Sequence, residues 1–149
     1  LYQQIKHGGV THIVGAMSTG GIMTGIGEYI KEVDPTIRMI GVDGEQSNIY
    51  RKFHDQEDGE YDVSIEGLGQ WRVTDAANLE VMDDVRPVSD SIAKSRAKHE
   101  AADNGLLIGP SSGAAMEVSQ AITQEEDEAR VVSIVHDGAE QYFHEFSDW

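Results

Sequence analysis

The residues Ser18 to Gly25 read S-T-G-G-I-M-T-G, two hydroxyls followed by paired glycines. They come after the short apolar run His12-Ile13-Val14-Gly15-Ala16-Met17 and lead into Ile22–Val33, where Ile22, Ile26, Tyr29, Ile30 and Val33 recur at helical spacing. Strand, glycine turn and helix in that order aim several backbone N–H groups and a helix N-terminus at one anion. Glycines let the backbone approach that anion with no Cβ in the way. A bare βα turn with no ligand is the plainer reading, and the turn alone leaves both open. Two familiar phosphate loops are excluded by spacing. No G-x-x-x-x-G-K-[ST] occurs, and Gly21, Gly25 and Gly27 do not give G-x-G-x-x-G. Asp43, after the next strand, is only a weak ribose signal, so a dinucleotide site is a minor alternative.

Two further glycine motifs lie downstream, Glu66-Gly67-Leu68-Gly69 and Gly109-Pro110-Ser111-Ser112-Gly113-Ala114. The second prepares another helix N-terminus to meet a polar ligand. Ser111-Ser112 does not form G-x-S-x-G and no histidine is placed as its base, so a hydrolase nucleophile is rejected. The six histidines show no metal-ligand spacing and no evident acidic partner. They read as surface or partly buried residues, and the methionines as core filling.

At 149 residues the chain suits one domain, and the absence of cysteine excludes disulfides and thiolate chemistry. Eleven Lys and Arg against 27 Asp and Glu give a formal charge of −16. With no basic stripe to neutralise phosphates, nucleic acid and anionic membranes are not expected partners. No apolar run is long enough to span a bilayer and no signal peptide opens the chain, so the expected location is cytoplasmic. The chain opens at Leu1, in what reads as the end of a helix, and is expected to be part of a longer protein.

The elements that must position these motifs alternate. Leu1–Lys6 reads as a helix tail closed by Gly8-Gly9. Strands are predicted at His12–Met17, Arg38–Val42 and Arg130–Val135, with another inside Val81–Val88 ending near Pro87. Helices are predicted at Ile22–Val33, Ser91–Asn104 and Ser112–Ile122, while Ser47–Gly69 reads as polar surface loop. The aromatic tail Tyr142–Trp149 is expected to pack back on the body. Alternating strands and helices predict an α/β three-layer sandwich with a mainly parallel sheet.

Together S-T-G-G-I, E-G-L-G and G-P-S-S-G-A resemble the cysteine synthase and cystathionine β-synthase family, fold type II enzymes that use pyridoxal 5′-phosphate. The resemblance spans nearly the whole chain, including Ile40–Asp43 and Val132–Gly138. It implies that residues 1–149 form the cofactor-holding large domain without its N-terminal part, which carries the cofactor-bonding lysine. None of Lys6, Lys31, Lys52, Lys94 and Lys98 stands in a matching context, so the chain alone is expected to be inactive. The family phosphate loop usually reads G-T-G-G-T. The resemblance therefore puts Ser18, Thr19, Gly20, Gly21 and Ile22 around the phosphate, Ser111 at the pyridine nitrogen and Gly67 beside an amino-acid substrate. Ile22 replaces a threonine and removes one hydroxyl donor, a loss of roughly 1.5–3 kcal/mol unless Ser18 compensates. His136 stands where proline is usual and would wall the pyridine ring; Asp137 would stand behind it or simply form an Asp-Gly turn with Gly138. The implied reaction is β-replacement on an activated serine by a thiol or sulfide, in a homodimer when full length. Glu66, Val42-Asp43 and the ending Ser147-Asp148-Trp149 look more like cystathionine β-synthase. The usual phenylalanine and proline after the glycines are missing near Arg72 and Thr74. The alternative is a non-catalytic anion- or nucleotide-binding α/β module.

Overall fold

The computed structural model describes residues 1–143, and the last six positions of the expected aromatic tail lie outside the described residues. After a short helix α1 (Tyr2–Ile5), strand β1 (His12–Ala16) is followed by α2 (Gly21–Val33) and β2 (Arg38–Gly44). Then come α3 (Asn48–Phe53), β3 (Asp84–Val88), α4 (Asp90–Asn104), α5 (Pro110–Glu125) and β4 (Val131–Ser133). Among the described residues these strands make one four-stranded sheet in the order β3-β2-β1-β4, and every pairing is parallel. The registers set His12 beside both Arg38 and Val131, and Ile40 beside Asp84.

All five residues of β1 are buried, as a central parallel strand covered on both faces requires. Alternation then sorts the side chains. Val14 and Ala16 pack with Ala114, Ala115, Val118 and Ile122 of α5. Ile13 and Met17 pack with Met23 and Ile30 of α2, Ile49 of α3 and Val85 of β3. Two helical layers therefore sandwich the sheet. Where α4 crosses α5, Gly113 lies so close that a Cβ would overlap the Ala93 carbonyl and fall 2.9 Å from the Ala97 N. Among the described residues no helix is long and apolar enough to cross a membrane.

The expected strands and helices are present with altered ends. The loop expected over Ser47–Gly69 in fact contains α3, capped by the Ser47 side chain, which accepts from the Ile49 N–H. β3 ends at Val88, next to Pro87 as expected, and Pro87 itself lies inside the strand. That is tolerated because β3 is an edge strand, where a missing N–H costs no ladder bond. β4 is three residues long because the next donor on β1, the Ala16 N–H, goes to the His136 imidazole. Of the tail, Tyr142 is buried as expected but Phe143 is 57% exposed.

Candidate functional site

The chain runs from β1 outward through β2 to β3, and later returns to the other side of β1 as β4. The crevice beyond the carboxyl ends of β1 and β4 is therefore the switch point of the sheet, where open α/β folds take ligands. A cavity of about 380 Å³ occupies it.

One wall is the turn after β1. Gly20 holds a left-handed φ of 84° as the N-cap of α2, a conformation glycine adopts without strain. No side chain caps this helix and its first turn carries no acid. Thr24 N–H closes the first intrahelical bond to the Gly20 carbonyl, leaving the preceding N–H groups of the turn pointing outward. The resulting partial positive charge suits an anion.

A strap from Gln70 to Asn78 holds the turn from outside. Gln70 Nε2 donates to Ser18 Oγ at 3.2 Å, and Thr74 Oγ1 donates to the Thr19 carbonyl at 2.5 Å. Asn78 N–H donates to Thr24 Oγ1, and Ala77 sits against Gly20 so closely that any Cβ there would overlap it. Gly69 N–H, bonded to the Met17 carbonyl at 2.7 Å, ties the E-G-L-G motif to the end of β1.

The opposite wall is the start of α5. Ser112 Oγ accepts from the His136 N–H at 3.0 Å, so this serine is engaged. Ser111 is 1% exposed and its Oγ has no partner among the described residues. Gly67, at φ 80°, backs onto it, and a Cβ there would stand 3.4 Å from that hydroxyl. His136 Nε2 accepts from the Ala16 N–H at 3.1 Å, which places the imidazole proton on Nδ1. Burial lowers its pKa, against the pull of the Asp137 carboxylate, so the ring is neutral. Asp137 Oδ2 accepts from Tyr142 Oη at 2.5 Å, while its Oδ1 is buried without a partner among the described residues. Buried polar atoms are normally satisfied. Two orphans on one cavity mark a place built for a polar ligand.

Of the residues singled out from sequence, Ser18, Thr19, Gly20, Ile22, Gly67 and Ser111 line this one cavity, with His136 and Asp137. Gly21, the exposed first residue of α2, is not among the residues that line it. None of the five lysines lines it. The sequence reading gave the strap residues Gln70, Thr74 and Ala77 no part in the site; near Arg72 and Thr74 it registered only a departure from the usual family residues. Two histidines acquire the acidic neighbours that spacing did not reveal. His99 Nδ1 is 2.9 Å from Asp103 and His12 Nε2 is 3.6 Å from Glu126, both away from the cavity.

The fold and the cavity define an α/β protein that offers a ligand an uncapped helix N-terminus on one side and a free buried hydroxyl on the other. Residues 1–137 match the family described as "Pyridoxal-phosphate dependent enzyme", and the chain belongs to that family. It is 33% identical over 129 residues to a cysteine synthase B of Campylobacter jejuni, covering 87% of this chain and 41% of that protein. It is 32% identical over 141 residues to a cystathionine beta-synthase of Apis mellifera, covering 93% of this chain and 28% of that one. The crystal structure of an O-acetylserine dependent cystathionine beta-synthase from Helicobacter pylori superposes with a TM-score of 0.83 at 30% identity, over 96% of this chain and 45% of that one. The chain thus spans less than half the length of these relatives. A cofactor with a phosphate at one end and a ring nitrogen at the other fits the residues present, because the outward N–H groups and the orphaned Ser111 hydroxyl supply what each end needs.

Proposed function

We propose that this chain is the cofactor-holding portion of a pyridoxal-phosphate-dependent β-replacement enzyme acting on an activated serine, of the cysteine synthase or cystathionine β-synthase type. The observation that carries the reading is the unpartnered Ser111 hydroxyl, buried across the cavity from an uncapped helix N-terminus. The N–H groups from Thr19 to Ile22 would hold the phosphate, with Ser18 at its side. Ser111 would meet the pyridine nitrogen as a neutral group. Unlike a carboxylate, it does not hold that nitrogen protonated, which moderates the electron demand of the ring. Pyridoxal phosphate, when bound, supplies an electron sink for breaking bonds at the carbons of an amino-acid substrate. The neutral His136 ring walls the site without adding charge beside the cofactor. Gly67 leaves room for substrate, and Glu66 stands at the same rim.

The cavity has no lysine, so the covalent tether of the cofactor would come from residues outside these 149. The chain on its own is then a non-covalent binder without turnover, and the homodimeric full-length protein is the active form. Titration with pyridoxal phosphate, followed by borohydride reduction and peptide mapping, tests both parts. Binding without a pyridoxyl-lysine in this chain is the expected result. A specific adduct on one of its five lysines would overturn the division of roles, and failure to bind would overturn the cofactor reading.

A further inference from the structure

Ile22 gives the phosphate end of the cavity no hydroxyl, and its side chain is 58% exposed at the rim. Two hydroxyls remain on the same turn, Ser18 and Thr19, and both residues line the cavity. A serine hydroxyl has one proton to give and can as easily accept as donate. Left alone, it has no reason to point that proton at an anion.

Gln70 removes the ambiguity. Its side-chain Nε2 donates to Ser18 Oγ at 3.2 Å, so the serine oxygen is the acceptor in that bond and its own proton must go elsewhere. The glutamine is itself fixed at the backbone. Gln70 N–H donates to Ser47 Oγ at 2.9 Å, Ser47 Oγ donates to the Gln70 carbonyl at 3.0 Å, and the Asn48 N–H donates to that carbonyl at 2.9 Å. Ser47 in turn is fully buried as the cap of α3. A rigid chain of bonds therefore runs from the start of α3 to the hydroxyl at the cavity.

Building on the cofactor reading above, we propose that Gln70 is a positioning residue that turns the Ser18 hydroxyl into a dedicated donor to the cofactor phosphate, in place of the hydroxyl missing at Ile22. The ligand chemistry recognised is a phosphate monoester. The glutamine touches only the serine, and the serine touches the anion.

The test compares pyridoxal 5′-phosphate with pyridoxal, which has the same ring and no phosphate, by equilibrium titration of the protein. Ser18→Ala should weaken the phosphorylated ligand about ten-fold or more, as expected for a lost hydrogen bond to a charged group. Gln70→Met keeps length and packing but has no donor, and should weaken it about three- to ten-fold. Neither change should alter pyridoxal affinity. In the double variant, Gln70→Met should add nothing to Ser18→Ala, because the glutamine acts through the serine. Ile22→Thr should restore phosphate-dependent affinity to the Gln70→Met protein. If Gln70→Met leaves the phosphorylated ligand unchanged, weakens both ligands alike, or adds fully to Ser18→Ala, the positioning role is wrong while the cofactor reading stands. If the unmodified protein binds neither ligand, the cofactor reading falls first and the inference falls with it.

Discussion

Gly20 and Asp43 show what single residues contribute, one at the ligand end of β1 and one at the end of β2. Gly20 combines a positive φ with the nearness of Ala77, so it has neither the conformation nor the space for a side chain. Gly20→Asp would add a charge of the same sign as phosphate, and is expected to abolish pyridoxal phosphate binding in a titration. Unchanged affinity would show that the turn does not hold the anion. Asp43 is fully buried and accepts from the Tyr50 N–H at 2.7 Å, but its second oxygen has no partner. Burial pushes its carboxyl up to about 6 from 3.8, against the hydrogen bonds that favour the charged form. An acid with a raised folded pKa binds more protons when folded, so its stabilising effect is complete below about pH 4. That contribution is lost as pH rises through about 6, by on the order of 2–3 kcal/mol. Asp43→Asn should therefore flatten the fall in stability between pH 4 and 6 in chemical denaturation. An identical slope in variant and parent would refute the assignment. The buried His12 and the half-buried His136 act in the opposite sense, because lowered folded pKa values cost stability as pH falls below about 6.5.

At the scale of elements, the contact of α4 with α5 depends on Gly113, where the helix backbones meet with no side chain between them. Gly113→Ala would gain helix propensity of roughly 1 kcal/mol, yet overpacking commonly costs about 1–3 kcal/mol. Since the atoms in the way are backbone, the clash should win and the melting temperature should fall. A rise would mean the helices separate without cost. The elements best read from sequence were β1, α2 and β2, from their apolar runs and spacing, and α4, from the residues that bound it. The last is bounded by Ser89 as N-cap and a left-handed Gly105 at its end. α3 was missed because six residues, including Asn48, Arg51 and Lys52, carry too little apolar signal, although the capping Ser47 preceded it. The three glycine motifs were legible because backbone demands restrict residue choice. The strap from Gln70 to Asn78 was not, since its bonds to Ser18, Thr19 and Thr24 span more than fifty positions and use ordinary polar residues. The pairing of Ser112 with His136, which singles out Ser111, likewise exists only in three dimensions.

For the molecule as a whole, a formal charge of −16 on 149 residues sets up a self-repulsion that folding concentrates. Some acids are offset locally, as where Lys31 meets Asp83 at 2.5 Å and Arg38 meets Glu126 at 3.0 Å, but over the chain 27 acids face only 11 bases. Screening shortens the reach of charge to about 3 Å at 1 M salt. Raising sodium chloride from low millimolar to 1 M should therefore raise the melting temperature by several degrees, with potassium chloride equally effective. A flat or falling response would show that repulsion is not a significant part of the stability.

The placing of β4 beside β1 also determines when the sheet can be finished. Arg130 N–H bonds Thr11 Oγ1 across 119 residues, and His12 faces Val131. During synthesis β1, α2 and β2 emerge well before β4 and can associate at once, but this side of β1 stays open until β4 is released. For that interval the nascent sheet presents an unpaired, strongly apolar edge to whatever else is nearby. Contacts this distant along the chain form slowly. Since the cavity lies between the ends of these two strands, the ligand seat cannot form before β4 has been made.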